Sequence, residues 1–154
     1  MILRFFYVAL ITACLGACGI KKEELSAQSS TALSLQNEVI IAKIGEIPKD
    51  SAPFLINSVS IEGNILTINV SYGGGCEKHL FEMKGNSMVA KSKPPIRKVE
   101  LIHLSNSDKC KKQIIENIKV DVSEFAYRKE VGSEIYLSIN GWSEKVKYIF
   151  SSNN

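Results

Sequence analysis

The sequence is poor in the residues that most often build catalytic and metal sites. Its 154 residues include only two histidines, four cysteines and one tryptophan. The formal net charge is +3, close to neutral, and the two signs are interspersed, which argues against a nucleic-acid partner. The densest basic segment, KCKK at 109–112, is too short to change that conclusion. Neither an internal repeat nor a coiled-coil heptad is visible, which leaves an ordinary globular domain as the simplest organisation.

The sequence also lacks an apolar run long enough to span a membrane as a helix. The longest run, Phe5–Ala17, follows the single positive charge of Arg4. It is shorter than the ~20 residues needed to cross the hydrocarbon core of a bilayer. A short apolar run after a positive charge is typical of a secretory signal, so residues 1–17 are predicted to be removed from the mature protein.

The predicted signal ends in Leu15-Gly16-Ala17-Cys18, which resembles the lipobox of bacterial lipoproteins. That resemblance implies that the Cys18 thiol is diacylated, that the chain is cut before it, and that the new amine is acylated; several acyl chains together give a stable membrane anchor. Cys14 fits the same loose pattern, but cutting before it would leave a very short signal, which favours Cys18. The residue after Cys18 is Gly19 rather than an aspartate, and in lipoproteins of this type that resemblance implies sorting to the outer membrane. The alternatives are an ordinary cleaved signal and an uncleaved anchor.

The mature chain divides into a tether and one domain. With Arg4 removed, eighteen basic and sixteen acidic side chains remain. Residues 18–37 are polar and rich in serine, without sustained periodicity, and are predicted to form a lipidated, flexible tether with a reach of roughly 25 Å. Residues 38–154 have the size of a single domain.

The domain shows the period-two pattern of β-strands. In NILTINVSY the side chains of Leu66, Ile68, Val70 and Tyr72 lie on one face, as in a half-buried antiparallel strand. Asn140-Gly141 is the strongest hairpin signal. The spacing of the strands predicts an all-β, antiparallel β-sandwich, most simply an immunoglobulin-like Greek key, with a small β-barrel as the alternative. A turn or two of helix is expected in SDKCKKQIIEN, with Ser107 or Asp108 as its N-cap, although its isoleucines also suit the next strand.

Two cysteines remain besides Cys18, and each lies close to a histidine in the sequence. Export to an oxidising compartment favours a disulfide between Cys76 and Cys110. One alternative is a zinc site, in which Cys76, His79, His103 and Cys110 would supply a closed tetrahedral set of ligands. Another is a nucleophilic Cys76 with His79 as base and Asp108 as orienting group, which requires a free thiol.

The two histidines have a structural interpretation as well. Each would lie on an apolar face of its strand, where a histidine is more often a hydrogen-bonded core residue than a ligand. Asn106 and Asp108 are turn-forming residues in the following loop. His79, His103, Asn106 and Asp108 are therefore the candidate polar site, a buried cluster beside the disulfide.

The combination of motifs resembles that of small bacterial lipoproteins of unassigned function. It reads Y-x-G-G-C-x2-H-x-F from Tyr72 to Phe81, then P-P, then L-x-H-x-S-N-x-D-x-C from Leu101 to Cys110. The resemblance covers roughly residues 55–125 and implies a fold but no activity.

The interpretation that follows is a non-enzymatic, lipid-anchored envelope protein, a binding or structural module without a cofactor. It would have the membrane and an envelope protein as partners. The alternatives are a zinc-binding periplasmic protein and a small inhibitor of an envelope hydrolase.

Overall fold

A computed structural model describes residues 38–152, which form two β-sheets that enclose one core. The predicted signal, Cys18 and the tether lie outside these residues. The strands are β1 (Val39–Ile41), β2 (Lys43–Ile44), β3 (Leu55–Glu62), β4 (Ile65–Gly74), β5 (Leu80–Gly85), β6 (Ile96–Leu104), β7 (Lys112–Asp121), β8 (Glu134–Ile139) and β9 (Lys145–Ile149). A 3-10 turn, Ser123–Phe125, follows β7. The described part of the chain contains no helix with the length and apolar character needed to cross a bilayer.

The predicted all-β sandwich is confirmed, and the sheets do not close into a barrel. One sheet has the order β1-β7-β4-β3 and the other β2-β5-β6-β8-β9. The sheets are mixed rather than wholly antiparallel, because β1 with β7, β2 with β5 and β6 with β8 are parallel pairs. This order also differs from the ABED and CFG sheets of an immunoglobulin domain, which is a correction to the expected Greek key.

The alternation in β4 shows why these strands form a sandwich. Leu66, Ile68 and Val70 are fully buried, and the residues between them are partly exposed. The buried set packs against residues of the other sheet, among them Met83 and Leu137. Burying apolar side chains of this size contributes roughly 1.5–3 kcal/mol each. Strand β4 is thus one of the two inner strands of the first sheet, between β3 and β7.

The N-terminal chain belongs to both sheets. Strand β1 lies parallel to β7, and β2 lies parallel to β5 in the other sheet. Between them Ala42 is completely buried, and its N–H donates to the carbonyl of Asp121 at 2.9 Å. Residues 39–44 therefore cover one edge of each sheet.

The predicted helical turns before β7 are absent from this part of the structure, and the prediction was wrong. Asn106 and Ser107 have φ values of +50° and +61°, a conformation that does not continue into a right-handed helix. The Asp108 carboxylate accepts the N–H of Cys110, two residues later, as turn-forming aspartates do. Strand β7 then begins at Lys112.

Candidate functional site

The disulfide lies where β4 ends and β7 begins. Gly74 of β4 pairs with Lys112 of β7, so two further residues on each side bring Cys76 opposite Cys110. Their Cα atoms are 5.9 Å apart and their sulfur atoms are bonded. Gly75, with φ of +107°, makes the bend before Cys76, where a residue with a side chain would be strained. The predicted pairing is confirmed, and we refer to the disulfide with loops 75–79 and 105–111 as the disulfide corner.

The carboxylate of Asp108 holds the two loops of the disulfide corner together. Its Oδ2 accepts the backbone N–H groups of Cys76 and Glu77, both at 2.9 Å, and its Oδ1 accepts that of Cys110 at 2.8 Å. These donors favour the charged form and hold the pKa of Asp108 well below its ordinary value. The side chain is completely shielded from solvent. Asp108 is therefore a cross-link between loops and is not available as a general base.

Two histidines continue the chain of hydrogen bonds into the core. His79 Nε2 lies 3.1 Å from Asp108 Oδ2, and His79 Nδ1 lies 2.7 Å from His103 Nε2. Since the carboxylate only accepts, His79 Nε2 carries a proton and donates it to Asp108. The bond between the two rings needs one more proton, on either His79 or His103. Three side chains thus form one continuous line from the corner to strand β6.

The ring of His103 is enclosed by aromatic side chains. Its centroid lies 4.6 Å from that of Phe81, with the rings nearly parallel, and 5.9 Å from that of Phe54. Burial, then the neighbouring His79, lowers the pKa of His103. Its Nδ1 is buried and has no hydrogen-bond partner among residues 38–152. Burial among these rings therefore favours the neutral form of His103.

Tyr72 covers the histidine pair from the side of the first sheet. Its ring stacks on His79 with centroids 4.7 Å apart, and its hydroxyl donates to Glu116 Oε1 at 2.8 Å. Burial, together with the hydrogen bond and charge of Glu116, raises the pKa of Tyr72. Tyr72 is therefore fixed at both ends of its side chain.

The structure brings together three of the four residues of the candidate polar site. His79, His103 and Asp108 form the line described above, whereas Asn106 is exposed and its side-chain amide donates to the carbonyl of Lys78. Sequence reasoning missed Glu116 as a member of the site. The signal was present, because Glu116 occupies an inward position of β7 between Ile114 and Ile118.

The donor set near the sulfur atoms differs from the predicted zinc ligands. One sulfur each of Cys76 and Cys110 and one carboxylate oxygen of Asp108 lie within 4.8 Å of one another. The histidine nitrogens instead bind Asp108 and each other. A cysteine that binds zinc or acts as a nucleophile does so as a thiolate, whereas in this disulfide the two sulfur atoms are bonded to each other. In this oxidised form the Cys76–Cys110 disulfide covalently links loops 75–79 and 105–111.

Comparison with known proteins identifies neighbours in fold alone. No protein-family model matches the chain, and no curated protein matches it. A NigD-like immunity protein from Bacteroides caccae superimposes with a TM-score of 0.53 at 14% identity, covering 72% of this chain and 63% of that one. A protein described as toxin-related from Parabacteroides distasonis gives a TM-score of 0.49 at 17% identity, with coverages of 72% and 61%. A protein of unknown function from Bacteroides vulgatus gives 0.48 at 17% identity, with coverages of 75% and 58%.

The chain thus matches less than two thirds of the length of each of these structures. The likeness to the first supports the sandwich architecture described above.

Proposed function

We propose that the chain is a lipid-anchored, non-enzymatic binding module of a bacterial cell envelope, sorted to the outer membrane. The observation that supports this most directly is the use of the two thiols, Asp108 and His79 for internal bonds. The two thiols are bonded to each other, and Asp108 is occupied by three amides and His79. Such a cluster fixes the shape of two loops, which is what a binding surface requires.

The lipid anchor is supported by Leu15-Gly16-Ala17-Cys18 and by the serine-rich segment that follows it. Cells expressing the full chain would be labelled with radioactive palmitate, with Cys18→Ser and Cys14→Ser as a matched pair of variants. Because acylation requires the thiol, label should be lost in Cys18→Ser and retained in Cys14→Ser. Loss of label only in Cys14→Ser, or no label in the wild type, would refute anchoring through Cys18.

The binding role is tested in the same membranes. Intact envelopes of cells that make the chain would be treated with a lysine-reactive cross-linker, and the chain isolated under denaturing conditions. A binding module should give a discrete adduct with another protein. A chain that remains monomeric at all cross-linker concentrations would count against the binding role and would leave the lipid anchor untouched.

A further inference from the structure

A groove lies beside the disulfide corner, on the first sheet. It has a volume of about 390 Å³ and lies between the segment that leads into β3 and the end of β4. Pro53, Phe54, Leu55 and Tyr72 supply apolar walls, and Lys111 and Gln113 lie at its rim. Among the residues described, no acidic side chain lines it. Its surface is therefore apolar with a basic rim.

Two of the most exposed apolar side chains of the domain adjoin this groove. Leu55 is 70% exposed and Ile115 is 61% exposed. Both pair with Ser71, one from each neighbouring strand, so they lie in one row across the sheet. Strands are spaced ~4.8 Å apart, which places Leu55 and Ile115 about 10 Å from each other. Together with the apolar walls of the groove they enlarge the exposed apolar surface at this edge of the sheet, and apolar surface of that kind marks interaction sites.

The charge next to the groove is mainly positive. Lys109, Lys111 and Lys112 are exposed, and none of them has an ion-pair partner within residues 38–152. Glu77, in the opposite loop, is the acidic residue of the corner besides the shielded Asp108. Unpaired lysines beside apolar walls complement a ligand that carries both apolar side chains and carboxylates.

The groove is also held in shape before anything binds. Tyr72 is fixed by stacking on His79 and by its bond to Glu116. Lys111 follows Cys110, whose position is fixed by the disulfide and by Asp108. A rigid surface loses little conformational entropy when it binds, so a short segment is sufficient for specific recognition.

We infer that this groove binds an acidic segment of another envelope protein. The segment places apolar side chains against Leu55 and Ile115 and carboxylates near Lys109, Lys111 and Lys112. An anionic membrane surface would use the lysines but leave the apolar walls unoccupied, so a protein segment fits the groove better. This inference rests on the proposed binding role and names the partner's chemistry.

The test uses the full-length lipidated chain in the envelope of cells that make it. A photoreactive phenylalanine analogue would replace Leu55 or Ile115, and irradiation would be followed by mass spectrometry of the linked peptides. The control position is Val131, which is 73% exposed and does not line the groove. At positions 55 and 115 we expect linkage to a peptide of another protein that carries several Asp or Glu residues.

Charge reversal at the rim separates specific binding from incidental contact. Lys111→Glu should lower the yield of the adduct by at least about fivefold, because it places a negative charge against the partner's carboxylates. Lys91→Glu makes the same change of charge at an exposed lysine that does not line the groove and should leave the yield unchanged. Thermal unfolding of both variants checks that the fold is intact.

Several outcomes would overturn the inference. In the cross-linking experiment these are the lack of an adduct at positions 55 and 115, adducts with this chain or with lipid, and linked peptides that carry no acidic residues. An adduct yield at position 131 equal to that at positions 55 and 115 would also overturn it. In the charge-reversal experiment, an unchanged adduct yield in Lys111→Glu would do so. Adducts at position 131 alone would remove the groove but keep the binding module. If the palmitate test fails, the adducts at positions 55 and 115 still report whether the groove binds an acidic segment.

Discussion

Opening the disulfide between Cys76 and Cys110 should cost much of the stability of the domain. The two residues are separated by 34 positions, and a cross-link that closes a loop of this length stabilises the folded state by about 4 kcal/mol in the chain-entropy model. The total free energy of unfolding of a domain is roughly 5–15 kcal/mol. For a domain of about this size each kcal/mol changes Tm by roughly 4 °C, so we expect a fall of about 15 °C.

The assay compares the wild type with the double variant Cys76→Ser, Cys110→Ser. Both would be purified as the mature chain with Cys18→Ser, and unfolding would be followed by circular dichroism with and without a reductant. The reduced wild type and the double variant should unfold at nearly the same, lower temperature. Reductant should leave the double variant unchanged, which controls for effects of the reductant itself.

The reasoning fails if the double variant unfolds within about 1 kcal/mol of the oxidised wild type, a quarter of the expected loss. It also fails if the intact mass of the wild type does not rise by the mass of two hydrogen atoms on reduction, as S–S takes up two electrons and two protons to give two S–H groups. The first result would mean that Asp108, which bonds Cys76, Glu77 and Cys110 without help from the sulfur atoms, holds the corner by itself. The second would mean that the thiols are free.

Three further predictions concern the same corner. The low pKa of Asp108 in the folded state means that its charge contributes stability above the unfolded value of about 3.9, and that this contribution is lost as the pH falls further. The difference in unfolding free energy between wild type and Asp108→Asn should therefore be largest near neutral pH and shrink below about pH 4 in denaturant titrations; a constant difference would refute it. Gly74→Ala should lower the free energy of unfolding of the domain by roughly 1–3 kcal/mol, because a Cβ there would meet His79 Nε2 at 2.6 Å. Gly73→Ala is the control in the same thermal melts, because a Cβ at that position meets no atom within 4 Å. A chelator should leave Tm unchanged, and elemental analysis that found stoichiometric metal, together with a lower Tm after chelation, would contradict that.

Local patterns in the sequence predicted the strands that pair with their neighbours along the chain. The alternation of Leu66, Ile68 and Val70 gave β4 its buried face, and Asn140-Gly141 marks the turn between β8 and β9. Both features depend on side chains within a few residues of one another. Physical rules for turns and for period-two burial are therefore sufficient to identify them.

Pairings between distant strands have no comparable local signal. Nothing in the residues of β1 or β8 indicates that they run parallel to β7 and β6. The helix expected around Ser107 failed for a related reason. Asp108, suited to an N-cap by type, instead bonds Cys76 and Glu77 from a loop far away in the sequence. Tertiary bonds override local preference at such positions.

The site was partly predictable. The cysteines and histidines are so few that their grouping in the sequence indicated one cluster, and the structure places His79, His103 and Asp108 in one line. The order of that line, with His79 in the middle, depends on Phe81 pairing with His103, and this register is a property of the sheet. The groove with Leu55 and Ile115 depends on three strands at once. For that reason the sequence alone did not reveal it.

The placement of the N-terminal chain sets the order in which the domain can be assembled. Val39 pairs with Lys119, 80 residues later, so β1 has no strand partner in its sheet until β7 is available. The first residues of the domain to emerge are thus among the last to be built into it, because contacts of this sequence separation form late. During synthesis residues 39–41 therefore stay without their strand partner until most of the domain has been made.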